Sequence, residues 1–190
     1  MNSGLIVLDL DETLTHATRD RQDQPHDFIY ESYFIYKRPS VDQFLSDIVK
    51  HFTVGIWSSA DDEYVAEVVQ AIIPPGVKLA FVWGRSRCSI RRDMETDTYC
   101  FEKRLYKLKK QGFRLENILI VDDSPEKSRT NYGNAIHITE FTGDPNDCEL
   151  PALFSYLMML KHVSNVRAVE KRDWKSRLTR TVSDNTVPLS

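Results

Sequence analysis

The chain has 190 residues and carries 25 lysines and arginines against 28 aspartates and glutamates, a net charge of -3. That length lets one domain bury about 70% of its unfolded surface without metal or disulfide staples. Basic residues are spread out except for Arg85, Arg87, Arg91 and Arg92, which argues against the concentrated positive footprint of a nucleic-acid binder. Cys88, Cys100 and Cys148 are odd in number and lack C-x-x-C spacing, so they read as reduced thiols, with no disulfide framework or zinc site.

The start, Met1-Asn2-Ser3-Gly4, has no basic segment, and the apolar stretch after it reaches Asp9 too soon for a signal peptide or a membrane span. The expectation is a cytoplasmic protein with no membrane partner. Leu5 to Leu8 then predicts a buried strand that ends in Asp9-Leu10-Asp11-Glu12-Thr13. Strand side chains alternate, so Asp9 and Asp11 face one way and Leu10 the other. Two carboxylates at the carboxyl end of a strand lie where open α/β sheets bind ligands, and such a pair can hold a cation while one oxygen attacks phosphorus.

Residues 14–36 are polar and then aromatic (Phe28, Tyr30, Tyr33, Phe34, Tyr36) and read as a loop or small hairpin at the catalytic edge. The aromatics suit hairpin packing, with one or two lining a substrate groove. After Pro39-Ser40, the spacing of Val41, Phe44, Leu45 and Ile48 predicts a helix. Phe52 to Trp57 is a second strand closed by Ser58-Ser59, and an amphipathic helix follows from Asp61 to the Pro74-Pro75-Gly76 stop. Leu79 to Trp83 reads as a short strand, and the Arg-rich stretch to Tyr99 has room for a small hairpin.

A helix is expected from about Phe101, with Leu105 and Leu108 inward, Lys103 on it and Gly112 ending it. Ile118 to Val121 leads into Asp122-Asp123-Ser124-Pro125, a second strand ending in paired acids. A last strand at 135–138 and a helix through Leu150, Leu153, Phe154, Leu157 and Leu160 complete the pattern. The alternation of strands and helices predicts an α/β fold: three layers around a mainly parallel sheet, a domain over 1–170 and a polar tail over 171–190. His16, His26, His51, His137 and His162 are scattered without ligand spacing and read as structural or surface residues.

Together, the segments LDLDETLTH (8–16), KRPSVDQFL (37–45), WSSA (57–60), FEKRL (101–105) and VDDSPEKSRTNYGNAI (121–136) resemble the haloacid dehalogenase superfamily. Within it they resemble the Fcp/Scp-type, or NLI-interacting-factor-like, phosphatases. The resemblance implies a Rossmann-like fold with a small or absent cap, and Asp9 as the nucleophile that takes the phosphoryl group as an aspartyl-phosphate. Asp11 would be the general acid and then the base, and Thr13 would brace the loop. Mg²⁺ would sit on Asp9, Asp11 through its backbone, and Asp123, with Asp122 behind them; many relatives have Asp-Asn at this pair. Ser58, Ser59 and Lys103 would bind the phosphoryl oxygens, and Arg85 and Arg87 a second anionic group.

Neither 14–36 nor the stretch from Pro74 to Tyr99 is long enough for an independent helical cap. The open site this implies suits a phosphoserine or phosphothreonine presented by a protein or peptide. The alternatives are a small-molecule or nucleic-acid phosphomonoesterase and a non-catalytic phosphopeptide-binding module.

Overall fold

A computed structural model describes residues 4–93 and 97–178. Met1-Asn2-Ser3 and 179–190 lie outside the described residues, and with them most of the expected tail. In chain order the elements are β1 (Leu5–Leu8), β2 (Thr15–Thr18), β3 (Phe28–Tyr30), β4 (Tyr33–Lys37), α1 (Val41–Ile48), β5 (Thr53–Trp57) and α2 (Asp62–Ile72). They continue with β6 (Val82–Trp83), β7 (Ser89–Asp93), β8 (Thr98–Glu102), β9 (Ile118–Asp122), α3 (Pro125–Ser128), β10 (Ala135–His137) and α4 (Glu149–Leu160).

The central sheet runs β10-β9-β1-β5-β6, every pair parallel. Of its three inner strands, β1 is apolar throughout and β9 is apolar up to Asp122, because both faces of the sheet are covered. Along β1, Ile6 and Leu8 enter the larger core with α1, α2 and α4, whereas Leu5 and Val7 enter a smaller one. Along β9 the same alternation sends Leu119 and Val121 one way and Ile118 and Ile120 the other. The fold is the expected three-layer α/β arrangement around a mainly parallel sheet.

The smaller face departs from the expected helix. Phe101 lies in β8, paired with Ile90 of β7, and Lys103 sits in the turn beyond that strand. Only a 3₁₀ helix, Leu105–Gln111, follows, closed by Gly112 at φ 87°. An i, i+3 pair such as Leu105 and Leu108 satisfies either helix type, and the β-favouring run Thr98-Tyr99-Cys100-Phe101 settles its own stretch as strand. The short strand expected from Leu79 is reduced to Val82–Trp83.

Both inserts are small sheets, not helical caps. The first is the three-stranded antiparallel β2-β4-β3, larger than the expected loop or hairpin, and the second is the β7–β8 hairpin. A boundary at 170/171 falls inside the packed structure: Lys171 is buried, and Trp174 joins the larger core, stacks near Tyr156 and donates its indole N–H to the His137 carbonyl. Aromatic burial here outweighs the polar composition around it.

Arg38 ties the first insert to the sheet. Wholly buried, it donates to both Asp147 oxygens (2.8 and 2.7 Å), to the Thr13 carbonyl (3.1 Å) and to the Thr139 carbonyl (2.8 Å). Burial would raise the Asp147 carboxyl, but the hydrogen bond from Arg38 leads the interactions that hold it below its ordinary value. The pair's contribution is therefore present above the usual carboxylate range and fades as pH falls through it. Arg38→Ala leaves Asp147 uncompensated and should cost about 3–5 kcal/mol in urea unfolding. Lys50→Ala, in the exposed Lys50–Asp47 pair, should leave the urea midpoint close to that of the unchanged protein.

Candidate active site

Asp9 extends β1 by one residue, its N–H donating to the Val121 carbonyl of β9 (2.9 Å). The chain then doubles back: the N–H groups of Thr13, Leu14 and Thr15 all donate to the Leu10 carbonyl, and Glu12 takes φ 59° to make the turn. This keeps Leu10 in the core and brings Asp11 onto the same end of the sheet as Asp9.

Asp9 is almost fully buried, and its Oδ1 accepts the Leu10 N–H at 2.7 Å. Its Oδ2 lies 2.7 Å from the Lys103 ammonium and 3.8 Å from that of Lys127, but no well-directed hydrogen bond reaches it. Lys103 also donates to Asp122 Oδ2 at 2.8 Å. Burial alone would lower the Lys103 pKa; the charges of Asp122 and then Asp9 outweigh it, and the net direction is up. Burial, and next the Asp9 charge, push the Asp122 carboxyl up to about 7 against the pull of Lys103. The lysine is the ammonium shared by two carboxylates.

The Lys103 turn is rigidly mounted, with its N–H on the Lys127 carbonyl (2.9 Å) and its carbonyl held by the Asn131 amide. Asn131 also accepts the Leu105 N–H (3.2 Å), so one side chain bridges both sides of the turn.

Asp11 faces the other way. Ser58 Oγ donates to its Oδ2 (3.0 Å) and the Tyr64 hydroxyl to its Oδ1 (2.5 Å). Burial leads the effects on its carboxyl, and the net direction is up despite the Tyr64 hydrogen bond. Burial of this kind makes the charged form of the carboxyl less favourable than it is in water. Asp11 opens onto a cleft of about 470 Å³ whose walls include Tyr30, Tyr33 and Tyr64.

One oxygen each from Asp9, Asp122 and Asp123 lie within 4.8 Å of one another, and this all-oxygen set suits a hard divalent cation. The under-coordinated Asp9 Oδ2 fits the same occupant. Asp122 is committed to Lys103 and to the Ser124 N–H (2.9 Å), whereas the half-buried Asp123 accepts from Thr13 Oγ1 (3.3 Å) and Ser124 Oγ (2.8 Å). The Asp11 carboxylate stands outside the set, both oxygens being engaged.

Of the other residues singled out in the sequence, Ser58 spends its hydroxyl on Asp11 and on the Ala60 N–H (2.9 Å). Ser59 presents its carbonyl to Arg85 Nε (2.9 Å), and the Arg85 guanidinium lies over Phe101. Arg87 turns over the Trp83 ring and lines a different groove, between α2 and β6. Tyr64 escaped the sequence reading. Its one signal is its place in the first turn of the helix that follows the strand end carrying Ser58.

A family model described as "NLI interacting factor-like phosphatase" matches residues 4–167. "CTD small phosphatase-like protein 2" of Dictyostelium discoideum is 30% identical over 169 residues, covering 85% of this chain and 28% of that protein. "Nuclear envelope morphology protein 1" of Schizosaccharomyces pombe is 29% identical over 176 residues, covering 85% of this chain and 34% of its own length. The chain thus spans about a third or less of these relatives. The solved structure of the fission yeast RNA polymerase II CTD phosphatase Fcp1-R271A bound to beryllium fluoride is 18% identical. It aligns with a TM-score of 0.53 over 96% of this chain and 62% of that one, which shows a shared fold. No helix among the described residues is long and apolar enough to cross a membrane. The expectation of a cytoplasmic protein is nevertheless overturned, because a relative named for the nuclear envelope matches most of the chain. With its family model matched from Gly4 almost to Ala168, the chain belongs to the NLI interacting factor-like phosphatase family.

Proposed function

We propose that this chain is a Mg²⁺-dependent phosphatase domain that hydrolyses phosphomonoesters on proteins through an aspartyl-phosphate at Asp9. The observation that carries the reading is the buried Asp9 carboxylate beside two ammonium groups, with a second carboxyl, its pKa raised by burial, facing an open cleft. In the first step an Asp9 oxygen attacks phosphorus, the bond to the seryl or threonyl oxygen breaks, and Asp11 gives that oxygen its proton. In the second, Asp11 takes a proton from water, the water oxygen attacks phosphorus, and the bond to Asp9 breaks.

Lys103 and Lys127 offset charge on the phosphoryl oxygens, with Ser58 and Ser59 at the facing strand end and Arg85 on the Ser59 carbonyl. Ser58 and Tyr64 hold Asp11 in position. Asp9, Asp123 and the Asp11 backbone would hold Mg²⁺, which when bound screens the repulsion between these carboxylates and a phosphate dianion. Two small inserted sheets, in place of a helical cap, leave room for a side chain on a protein surface, in keeping with relatives named as CTD phosphatases. The nuclear-envelope name favours that membrane as the place of action.

Phosphoserine and phosphothreonine peptides, assayed beside metabolite phosphomonoesters and 3′-phosphorylated oligonucleotides, test the reading directly; turnover confined to the metabolites would overturn it. Asp9→Asn should abolish hydrolysis of p-nitrophenyl phosphate with the fold intact, and retention of even about a tenth of the rate would remove Asp9 as nucleophile. EDTA should silence the protein and Mg²⁺ restore it, and beryllium fluoride should inhibit by binding Asp9.

Asp11→Asn should slow a phosphoserine peptide more than p-nitrophenyl phosphate in the first step, since only the alkoxide needs a strong acid. Equal losses on both would count against the assignment. Lys103→Ala should lower kcat by roughly 10²–10³-fold. It should also destabilise the fold by about 3–5 kcal/mol, because Asp9 and Asp122 are left buried without their cation. Lys109→Ala, at an exposed lysine, is the control that should change neither.

A further inference from the structure

We propose that the cleft beside Asp11 binds a cationic side chain, arginine or lysine, flanking the phosphorylated residue of the substrate. This rests on the phosphoprotein reading above and narrows it to basic phosphopeptides. The cleft is walled by Tyr30, Tyr33 and Tyr64 and carries the carboxylates of Glu31, Asp61 and Glu63; among the described residues that line it, none is basic. It begins at Asp11, the residue that would protonate the departing seryl oxygen, so whatever fills it lies next to the phosphorylated residue in the same peptide.

Carboxylates alone would be an ordinary solvated rim. Here they surround aromatic faces. Tyr30 and Tyr64 meet edge to face with centroids 5.2 Å apart, which holds their rings upright as walls. One of these rings already meets a guanidinium within the protein, Arg19 lying 5.1 Å from the centre of the Tyr33 ring. That contact is of the kind a substrate cation would make with the cleft tyrosines. The carboxylates also converge: besides burial, the charges of Glu31, Glu63, Glu67 and Asp61 all raise the Tyr30 hydroxyl pKa.

The cations of the site lie on its other side. Lys103 and Lys127 stand beside Asp9, and Arg85 lies over Phe101. A phosphate is drawn to one side and a neighbouring cation to the other, which orients the peptide and repels a polyanion such as an oligonucleotide.

The test uses fluorescent phosphoserine peptides of one length that differ only in arginine, alanine or glutamate within three positions of the phosphoserine. Two quantities are read: kcat/KM, and affinity for the EDTA-treated protein by anisotropy. Arginine-flanked peptides should exceed glutamate-flanked ones by roughly tenfold or more at low salt in both, the gap narrowing as salt rises. Glu31→Lys, at a hairpin tip, and the pair Glu31→Lys with Glu63→Lys should flatten and then invert the order, with circular dichroism confirming the fold. A flat order, a preference for glutamate, or an order unmoved by folded charge-reversed variants would overturn the cleft assignment. Brisk peptide turnover with a flat order leaves the phosphoprotein reading standing. Hydrolysis of p-nitrophenyl phosphate with neither turnover nor binding of any peptide overturns both.

Discussion

The pairing of β1 with β9 creates a problem that the Lys103 ammonium solves. Leu8 faces Val121 in a parallel register, so the residues that follow, Asp9 and Asp122, arrive side by side with almost no access to water. Taken out of water, each carboxylate costs several kcal/mol, and their repulsion adds to it. One ammonium, 2.7 Å from the first and 2.8 Å from the second, makes the arrangement stable. The lysine is itself wholly buried and keeps its charge only because both acids face it. Removing the lysine strands both acids, so fold stability and the proposed chemistry are coupled through one ion cluster.

The same device recurs on the opposite side of the acidic loop. Arg38 follows the first insert directly, and its backbone N–H bonds to the Leu14 carbonyl while its guanidinium holds the Thr13 carbonyl and Asp147. Lys103 follows the second insert directly. Each excursion away from the parallel sheet thus ends in a buried cation that returns to the loop over residues 9–15.

The sequence was most legible where burial is two-sided and pattern alone decides. The runs 5–8, 53–57 and 118–122 became the inner strands, and the D-x-D and D-D pairs marked their carboxyl ends. It was least legible where tertiary contacts choose between local options. Lys103 looked like a helical residue because Leu105 and Leu108 have a helical offset, yet its place is set by strand pairing through Glu102 and by Asn131, which is 28 residues away. Trp174 sat in a polar stretch, and nothing local announced that a core nearly forty residues upstream would take it. Tyr64 was hidden for the opposite reason: a tyrosine beside Val65 on an amphipathic helix reads as flank packing, and only the course of β5 into Ser58 aims it at Asp11.

The two sides of the site also differ in origin. The groups nearest the phosphoryl position come from strand ends of the sheet and from the anchored lysine, which the parallel register fixes. The tyrosines and carboxylates of the cleft come from the β3–β4 hairpin, where Tyr30 pairs with Tyr33, and from the start of α2, all outside the parallel sheet. Charge at the cleft can change sign by surface substitution without disturbing the Asp9–Lys103–Asp122 cluster, whereas any change in that cluster is felt by the core. A phosphatase scaffold divided in this way can alter which peptide it favours while holding its reacting atoms still.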